Sequence, residues 1–204
     1  MLKQTFKELT GNYTEDFILI DKLWNEIEVA YSKKKRYYHT LKHLENLLNQ
    51  LNEIRKEINE WDTVLFALYY HDIVYNPLKN DNEERSAEFA AKRMKSISVP
   101  AQIINNCKSH IMATKKHLES SDNDINFFTD ADLSVLGQEW NSYSDYSRQV
   151  RNEYSIYPDL VYNAGRKKVL LHFLQMKQIF KTDCFFEKFE VQAKQNLLRE
   201  IGEL

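Results

Sequence analysis

The pair His71-Asp72 is the part of the sequence best suited to chemistry, because an imidazole and a carboxylate stand side by side. The pair follows the apolar run Val64 to Tyr70, and a carboxylate at the end of a buried segment is costly unless something compensates its charge. A divalent cation accepts nitrogen and oxygen ligands of this kind. The pair alone has a second interpretation, in which Asp72 ends a helix and His71 hydrogen-bonds to a backbone carbonyl.

Two other segments place similar side chains beside apolar helix faces. Upstream, His39 lies at a predicted helix start, and His43 follows one turn later on a similar face. Downstream, Asp130 and Asp132 stand two residues apart. On a helix such residues point about 200 degrees from each other, so only one of them can face a given metal ion. The three segments together give the order His, His-Asp, Asp.

The helices that must position these side chains follow from composition and periodicity. Four glycines and three prolines in 204 residues are too few for the turns of a sheet protein, so the sequence predicts an all-α fold, a compact helical bundle. One helix, from Trp61 to about Asp72, is apolar nearly all round, which is typical of a central helix. Asp81 and Glu84 predict a capping box. Further helices are predicted over about 15–31, 40–51, 81–94, 100–111, 127–137, 143–154, 160–180 and 185–201.

Length and charge narrow the classes of function. The chain has a formal charge of -2 and a pI near 6.3, which argues against binding to long nucleic acids or to anionic membranes. It has no apolar leader and no run of ~18 apolar residues, so we expect a cytoplasmic protein. Without a linker, the sequence predicts a single domain over 1–204, with a motif region at about 36–137 and C-terminal helices at 141–203 packing on it. No glycine-rich phosphate loop occurs, which excludes ATPase and dehydrogenase folds of the Walker and Rossmann types.

The order of the three segments resembles the H...HD...D pattern of the HD-domain metal-dependent phosphohydrolases. The resemblance covers about residues 36–200 and extends to the signature blocks of one bacterial branch of that superfamily. These blocks read YHTLKH (38–43), HDIVYNP (71–77), DNEERSA (81–87), ATKKH (113–117), DADLSVLG (130–137) and VRNEY (150–154).

The resemblance implies a metal site with four ligands. These are His39, His71, Asp72 and Asp130, with Asp132 as the alternative to Asp130. The native metal stays open among Mn, Mg, Zn, Fe and Ni, because histidine and aspartate ligands suit all of them to different degrees.

Other residues are expected to surround the metal. Asp72 and Glu83 are the catalytic candidates, with Glu83 as a general acid or base. Arg36 and Arg151 are expected to bind substrate phosphate, because guanidinium groups match phosphate geometry. His43 is expected to flank the site on the substrate side, and His117 to hold a second metal or line the site.

The resemblance implies hydrolysis of a nucleotide or another small phosphate ester by a metal-activated water. Two alternatives stay open within the fold: a dinuclear iron oxygenase, which needs His117 or His110 as a ligand, and a regulatory module that binds a metal or nucleotide without turnover. A third interpretation is a helical interaction scaffold, in which some of the twelve tyrosines form a homo-oligomer surface.

Overall fold

Every regular element of the protein is helical. A computed structural model describes all 204 residues and contains no β-strand, which confirms the predicted all-α fold. None of the helices is both long and apolar enough to cross a membrane. The elements are α1 (Leu2–Gly11), α2 (Phe17–Tyr31), α3 (Leu41–Glu53), a 3₁₀ turn (Arg55–Glu57), α4 (Trp61–Tyr70), α5 (Asn82–Ser96), α6 (Ala101–Ala113), α7 (Asn123–Leu133), a 3₁₀ turn (Ser134–Gly137), α8 (Trp140–Glu153), α9 (Asp159–Gln175) and α10 (Asp183–Glu203).

The chain forms two compact units, where the sequence predicts one domain. Unit 1 comprises Met1–Thr129 and unit 2 comprises Asp130–Leu204. The boundary falls inside α7, a continuous helix, so no change of composition marks it. The sequence therefore contains no linker at the boundary between the two units.

Unit 1 is built around α4. All residues of this helix from Thr63 to Tyr70 are buried, as its apolar circumference predicts. It packs against α1, α3, α5 and α6. Because α4 is enclosed, the residues at its carboxyl end are held by the unit's core.

Helix α4 ends at Tyr70, two residues before the predicted end. His71 is its C-cap, and the chain turns into the segment 71–76, which we call the HD loop. A phenol fixes the turn, since the Asp72 amide donates to the Tyr31 hydroxyl over 3.2 Å and that hydroxyl donates to the Tyr69 carbonyl over 3.2 Å. The His-Asp pair is thus anchored to α2 as well as to α4.

Helix α5 holds the other end of the HD loop. The Ser86 hydroxyl lies 3.1 Å from the Val74 amide and 3.3 Å from the Val74 carbonyl. The Asn82 side chain bonds both the amide and the carbonyl of Asn76, each over 3.0 Å. The DNEERSA block therefore serves, through these two residues, to fold the loop that carries Asp72.

The capping box predicted at the start of α5 does not form. Asp81 is the N-cap residue, yet its side chain makes no capping hydrogen bond. The Glu84 carboxylate instead pairs with Lys115, which also donates to the Asn80 carbonyl over 2.7 Å. Glu84 thus forms an ion pair with a residue distant in the chain, where the local pattern predicts a hydrogen bond at the start of the helix.

In unit 2, a buried carboxylate binds the backbone that follows α9. Helix α9 ends at Gln175, five residues before the predicted end at Phe180. The Glu190 carboxylate accepts the amides of Ile179 and Phe180 over 3.0 to 3.1 Å. Because these amides bond to a carboxylate from α10, the chain leaves the helix without losing hydrogen bonds.

A buried ion pair also stabilises unit 2. The Arg166 guanidinium donates to both Glu200 oxygens, over 2.8 and 3.0 Å, and both side chains are buried. Glu200 also accepts hydroxyl groups from Tyr143 and from Ser147. The pair is thus satisfied on every side, which a buried charge requires.

Candidate metal centre

The ends of two helices bring four ligand side chains of unit 1 together. His39 lies just before α3 and His43 lies in its first turn, while His71 and Asp72 follow the end of α4. Helices α3 and α4 pack against each other. Packing of two buried helices therefore joins residues that are 28 to 33 positions apart in the chain.

Short distances join these four side chains one to the next. His71 Nε2 lies 3.2 Å from Asp72 Oδ2 and 3.2 Å from His43 Nε2, and His39 Nε2 lies 3.8 Å from Asp72 Oδ2. Two ligands about 2.1 Å from a shared ion are roughly 3.0 to 3.4 Å apart at octahedral or tetrahedral angles. The two shorter distances fall in this range, so His43 and His71 could hold a metal ion between them.

The two ring nitrogens of His71 have separate roles. Nδ1 lies 3.0 Å from the Leu68 carbonyl oxygen, which accepts only, so Nδ1 carries the proton. The Nε2 lone pair then faces His43 and Asp72. A backbone carbonyl behind the ring is the usual partner of a metal-binding histidine, because it fixes the tautomer and the ring orientation.

Burial divides the four ligands into an inner and an outer pair. His71 and His43 are 1% and 4% exposed, whereas the side chains of His39 and Asp72 are about one fifth exposed. Burial opposes ionisation of Asp72, but the neighbouring imidazoles of His71 and His39 outweigh it and hold its pKa below the usual range. Asp72 is therefore a carboxylate with access to solvent, next to a buried pair of imidazoles.

Arg36 connects the two ligand-bearing segments. Its guanidinium donates to the His39 carbonyl over 3.2 Å and to the Ile73 carbonyl over 3.0 Å, and it lies over the rings of Tyr31 and Tyr75. The residue is buried. The structure thus places Arg36, expected to bind phosphate, as a brace between the α3 start and the HD loop.

Tyr75 forms part of the wall around the ligands. Its ring lies against the His39 ring, with 4.2 Å between centroids. Neither Tyr75, in the HDIVYNP block, nor Tyr31, before the first block, is marked by the sequence as a site residue. Spacing alone gives no reason to separate them from the other tyrosines in the core.

The structure gives Glu83 a different partner from the one expected of a catalytic acid or base. It lies in the first turn of α5, and its carboxylate forms an ion pair with Lys115 Nζ at 4.0 Å. The expected role of Glu83 as a general acid or base stays a prediction.

The Asp130 carboxylate accepts hydrogen bonds from the backbone between α9 and α10. Its carboxylate accepts the amides of Lys181 and Thr182 and the Thr182 hydroxyl over 2.8 to 3.0 Å, and Lys181 Nζ lies 3.3 Å away. Burial raises its pKa in spite of these donors. Both oxygens therefore have hydrogen-bond partners that close the segment between α9 and α10, and the expected role of Asp130 as a metal ligand stays a prediction.

Arg151 is likewise used inside unit 2. It donates to the Asp159 carboxylate over 2.6 and 3.0 Å and to the carbonyls of Tyr154 and Tyr157, and it lies over the Tyr162 ring. The guanidinium group that was expected to bind phosphate therefore already has partners within unit 2. The VRNEY block here joins the end of α8 to the start of α9.

The two histidines considered for a second metal differ in their surroundings. His110 is buried, its Nδ1 lies 2.9 Å from the Asn106 carbonyl oxygen, and burial lowers its pKa. Its ring packs on Phe128, as expected for a core residue. His117 lies in the turn after α6 with a φ of 51°, partly exposed. The expected role of His117 at a second metal or in the wall of the site stays a prediction.

Comparisons with known proteins find no relatives for this chain. No protein-family model matches it, and searches of the curated proteins and of the solved structures give no match.

Proposed function

We propose that unit 1 binds one divalent cation through His39, His43, His71 and Asp72, and that the protein is a metal-dependent hydrolase of small phosphate esters. One observation carries the metal site: the three imidazole Nε2 atoms and Asp72 Oδ2 follow one another at 3.2 to 3.8 Å. The reaction class is supported by the resemblance of the motif blocks to HD-domain phosphohydrolases. A nucleotide is one member of this substrate class.

Each ligand has a role that follows from its exposure. A divalent ion bound there supplies Lewis acidity and a water of lowered pKa. His43 and His71 hold the ion from the protein interior, and their neighbours exclude water on that side. His39 and Asp72 border the solvent, so substrate enters on their side. The Asp72 carboxylate offsets the ionic charge and can accept a hydrogen bond from a bound water.

Asp130 and Asp132 are the two candidates for the last residue of the H...HD...D pattern. Asp130 and Asp132 both belong to α7, and the Asp130 side chain points to the backbone of 181–182. Asp132 points about 200 degrees away from it. The proposed site takes its four ligands from unit 1 alone, so neither Asp130 nor Asp132 is counted among them.

The activity is tested by phosphate release. Purified protein loaded with Mn²⁺ is assayed against p-nitrophenyl phosphate and the 5′-nucleoside monophosphates, and we expect release of inorganic phosphate that EDTA abolishes. Asp72→Ala should be inactive, while His172→Ala, which removes an exposed histidine of α9, should retain full activity. A metal-loaded protein that cleaves none of these esters, or an active Asp72→Ala variant, would contradict the proposal.

A further inference from the structure

A cleft in unit 1 lies beside the HD loop. It has a volume of about 620 Å³ and is formed by α2, the loop residues 73–76 and α5. This size falls within the range of small-molecule sites. None of the four proposed metal ligands lines it, so it is distinct from the metal centre.

The cleft carries an excess of positive charge. Of its three cations, only Arg93 has a carboxylate partner, Glu26, at 2.6 Å. Lys33 and Arg85 also line the cleft, both are exposed, and neither forms an ion pair. Since the whole chain has a formal charge of -2, two uncompensated cations in one cleft are a local departure from the surface average.

The rest of the lining suits a carbon skeleton. Val29, Val74 and the Phe89 ring provide apolar surface, and Val29 is 56% exposed. The Asn76 side chain, whose Oδ1 accepts the Leu78 amide, adds a polar group at the loop end. An apolar wall with a few convergent polar groups is the usual composition of a ligand site.

We propose that this cleft binds a small phosphorylated metabolite, with the phosphate between Lys33 and Arg85. The Arg85 guanidinium can bind two phosphate oxygens at once, and Lys33 adds a second positive charge. Two cations are too few for a long nucleic acid, which needs contacts to many phosphates. The inference does not depend on the proposed hydrolase activity, because it uses no metal ligand.

The HD loop links the cleft to the metal centre. Tyr75 lines the cleft, and its ring lies 4.2 Å from the His39 ring. A ligand in the cleft would therefore contact the loop that positions Asp72. This arrangement gives a bound metabolite a direct route to influence the metal site.

The proposal is tested by calorimetric titration of the full-length protein with AMP in the presence of EDTA, so that no metal contributes. We expect saturable binding to the wild type and to Asp72→Ala. Arg85→Glu and Lys33→Glu should each weaken binding by about tenfold or more. Lys56→Glu makes the same charge change at an exposed lysine of the Arg55–Glu57 turn and should bind like the wild type.

Three results would overturn the proposal: no AMP binding to the wild type, unchanged affinity in Arg85→Glu, or loss of binding in Asp72→Ala, which would place the nucleotide at the metal centre. Circular dichroism of each variant checks folding, and both substituted side chains are exposed, so the fold should persist. Failure of the hydrolase assay would leave these binding results unaffected.

Discussion

At the scale of single residues, the His39, His43, His71 and Asp72 cluster depends on neighbouring side chains that bind the backbone. Arg36 is the clearest example. It is buried, and it joins the carbonyls of His39 and Ile73. His39 and Asp72, two of the proposed metal ligands, lie in or next to the segments that Arg36 joins.

Arg36→Ala should lower both stability and metal affinity. The substitution leaves two buried carbonyls without donors, so we expect the free energy of unfolding to fall by about 2–3 kcal/mol. Arg36→Lys should restore part of the metal affinity, because an ammonium can reach one carbonyl. Urea unfolding and Mn²⁺ titration measure the two effects. Arg55→Ala, an exposed arginine over Trp61, is the matched control; equal behaviour of the two variants would refute the bracing role.

Asp130 and Asp132 should separate in a paired substitution. Asp130→Asn weakens the contacts with Lys181, so it should destabilise the protein by about 3 kcal/mol and keep the metal. Asp132→Asn should also keep the metal, with a smaller loss of stability. Thermal unfolding and metal analysis of both variants give the answer. Metal loss in either variant would contradict a centre held by the four ligands of unit 1.

At the scale of elements, α5 determines the shape of the HD loop. Ser86 is buried and bonds both polar backbone groups of Val74. The loop reaches the correct geometry because this helix packs beside α4 and α6. The position of Asp72 is therefore a property of helix packing, in addition to local sequence.

Ser86→Ala should expose this dependence. Loss of the hydroxyl leaves the Val74 amide without its partner, so we expect a loss of about 1–2 kcal/mol in the free energy of unfolding and weaker Mn²⁺ binding. Ser109→Ala removes an exposed hydroxyl that bonds the Asn105 carbonyl within α6, and it should change stability by less than about 0.5 kcal/mol. Chemical denaturation compares the two. If Ser86→Ala binds Mn²⁺ as tightly as wild type, α5 does not control the site.

Gly137 shows an element contact that the sequence does not reveal. The sequence suggests that it simply ends a helix, and its φ is not positive. A Cβ at this position would lie 2.4 Å from Phe189 Cβ and 2.7 Å from its carbonyl oxygen. The residue is glycine because α10 passes directly over the 3₁₀ turn that ends there.

At the scale of the whole molecule, the sequence predicts elements well where local pattern decides them. The apolar circumference of α4 predicts both its existence and its central place in unit 1. The errors have tertiary causes. Glu190 and Asp130 capture the amides after α9, and Lys115 takes Glu84 from the expected capping box. No local pattern contains these long-range partners. The short distance between His43 and His71 also depends on how α3 packs on α4.

The stability of unit 2 should depend on pH through the ionisation of Glu200. Burial opposes its ionisation, but Arg166 outweighs burial and lowers its pKa. Its contribution to stability is therefore complete above about pH 4.5, the usual glutamate value, and is lost as the pH falls toward the lower folded-state pKa. Glu200→Gln should cost about 3 kcal/mol at pH 7 and show a smaller further loss on acidification. Unfolding measured from pH 7 to pH 3 tests this; parallel pH curves for the two proteins would contradict it.

The most direct test of the metal centre is elemental analysis by mass spectrometry. The protein is loaded with Mn²⁺, Zn²⁺ or Fe²⁺, freed of excess metal, and measured beside His71→Ala and the control His172→Ala. The account predicts about one divalent ion per chain in the wild type and in His172→Ala, and none in His71→Ala. A wild type that retains no metal, a His71→Ala variant that retains it, or two irons per chain in the wild type would contradict a single-ion centre at His39, His43, His71 and Asp72.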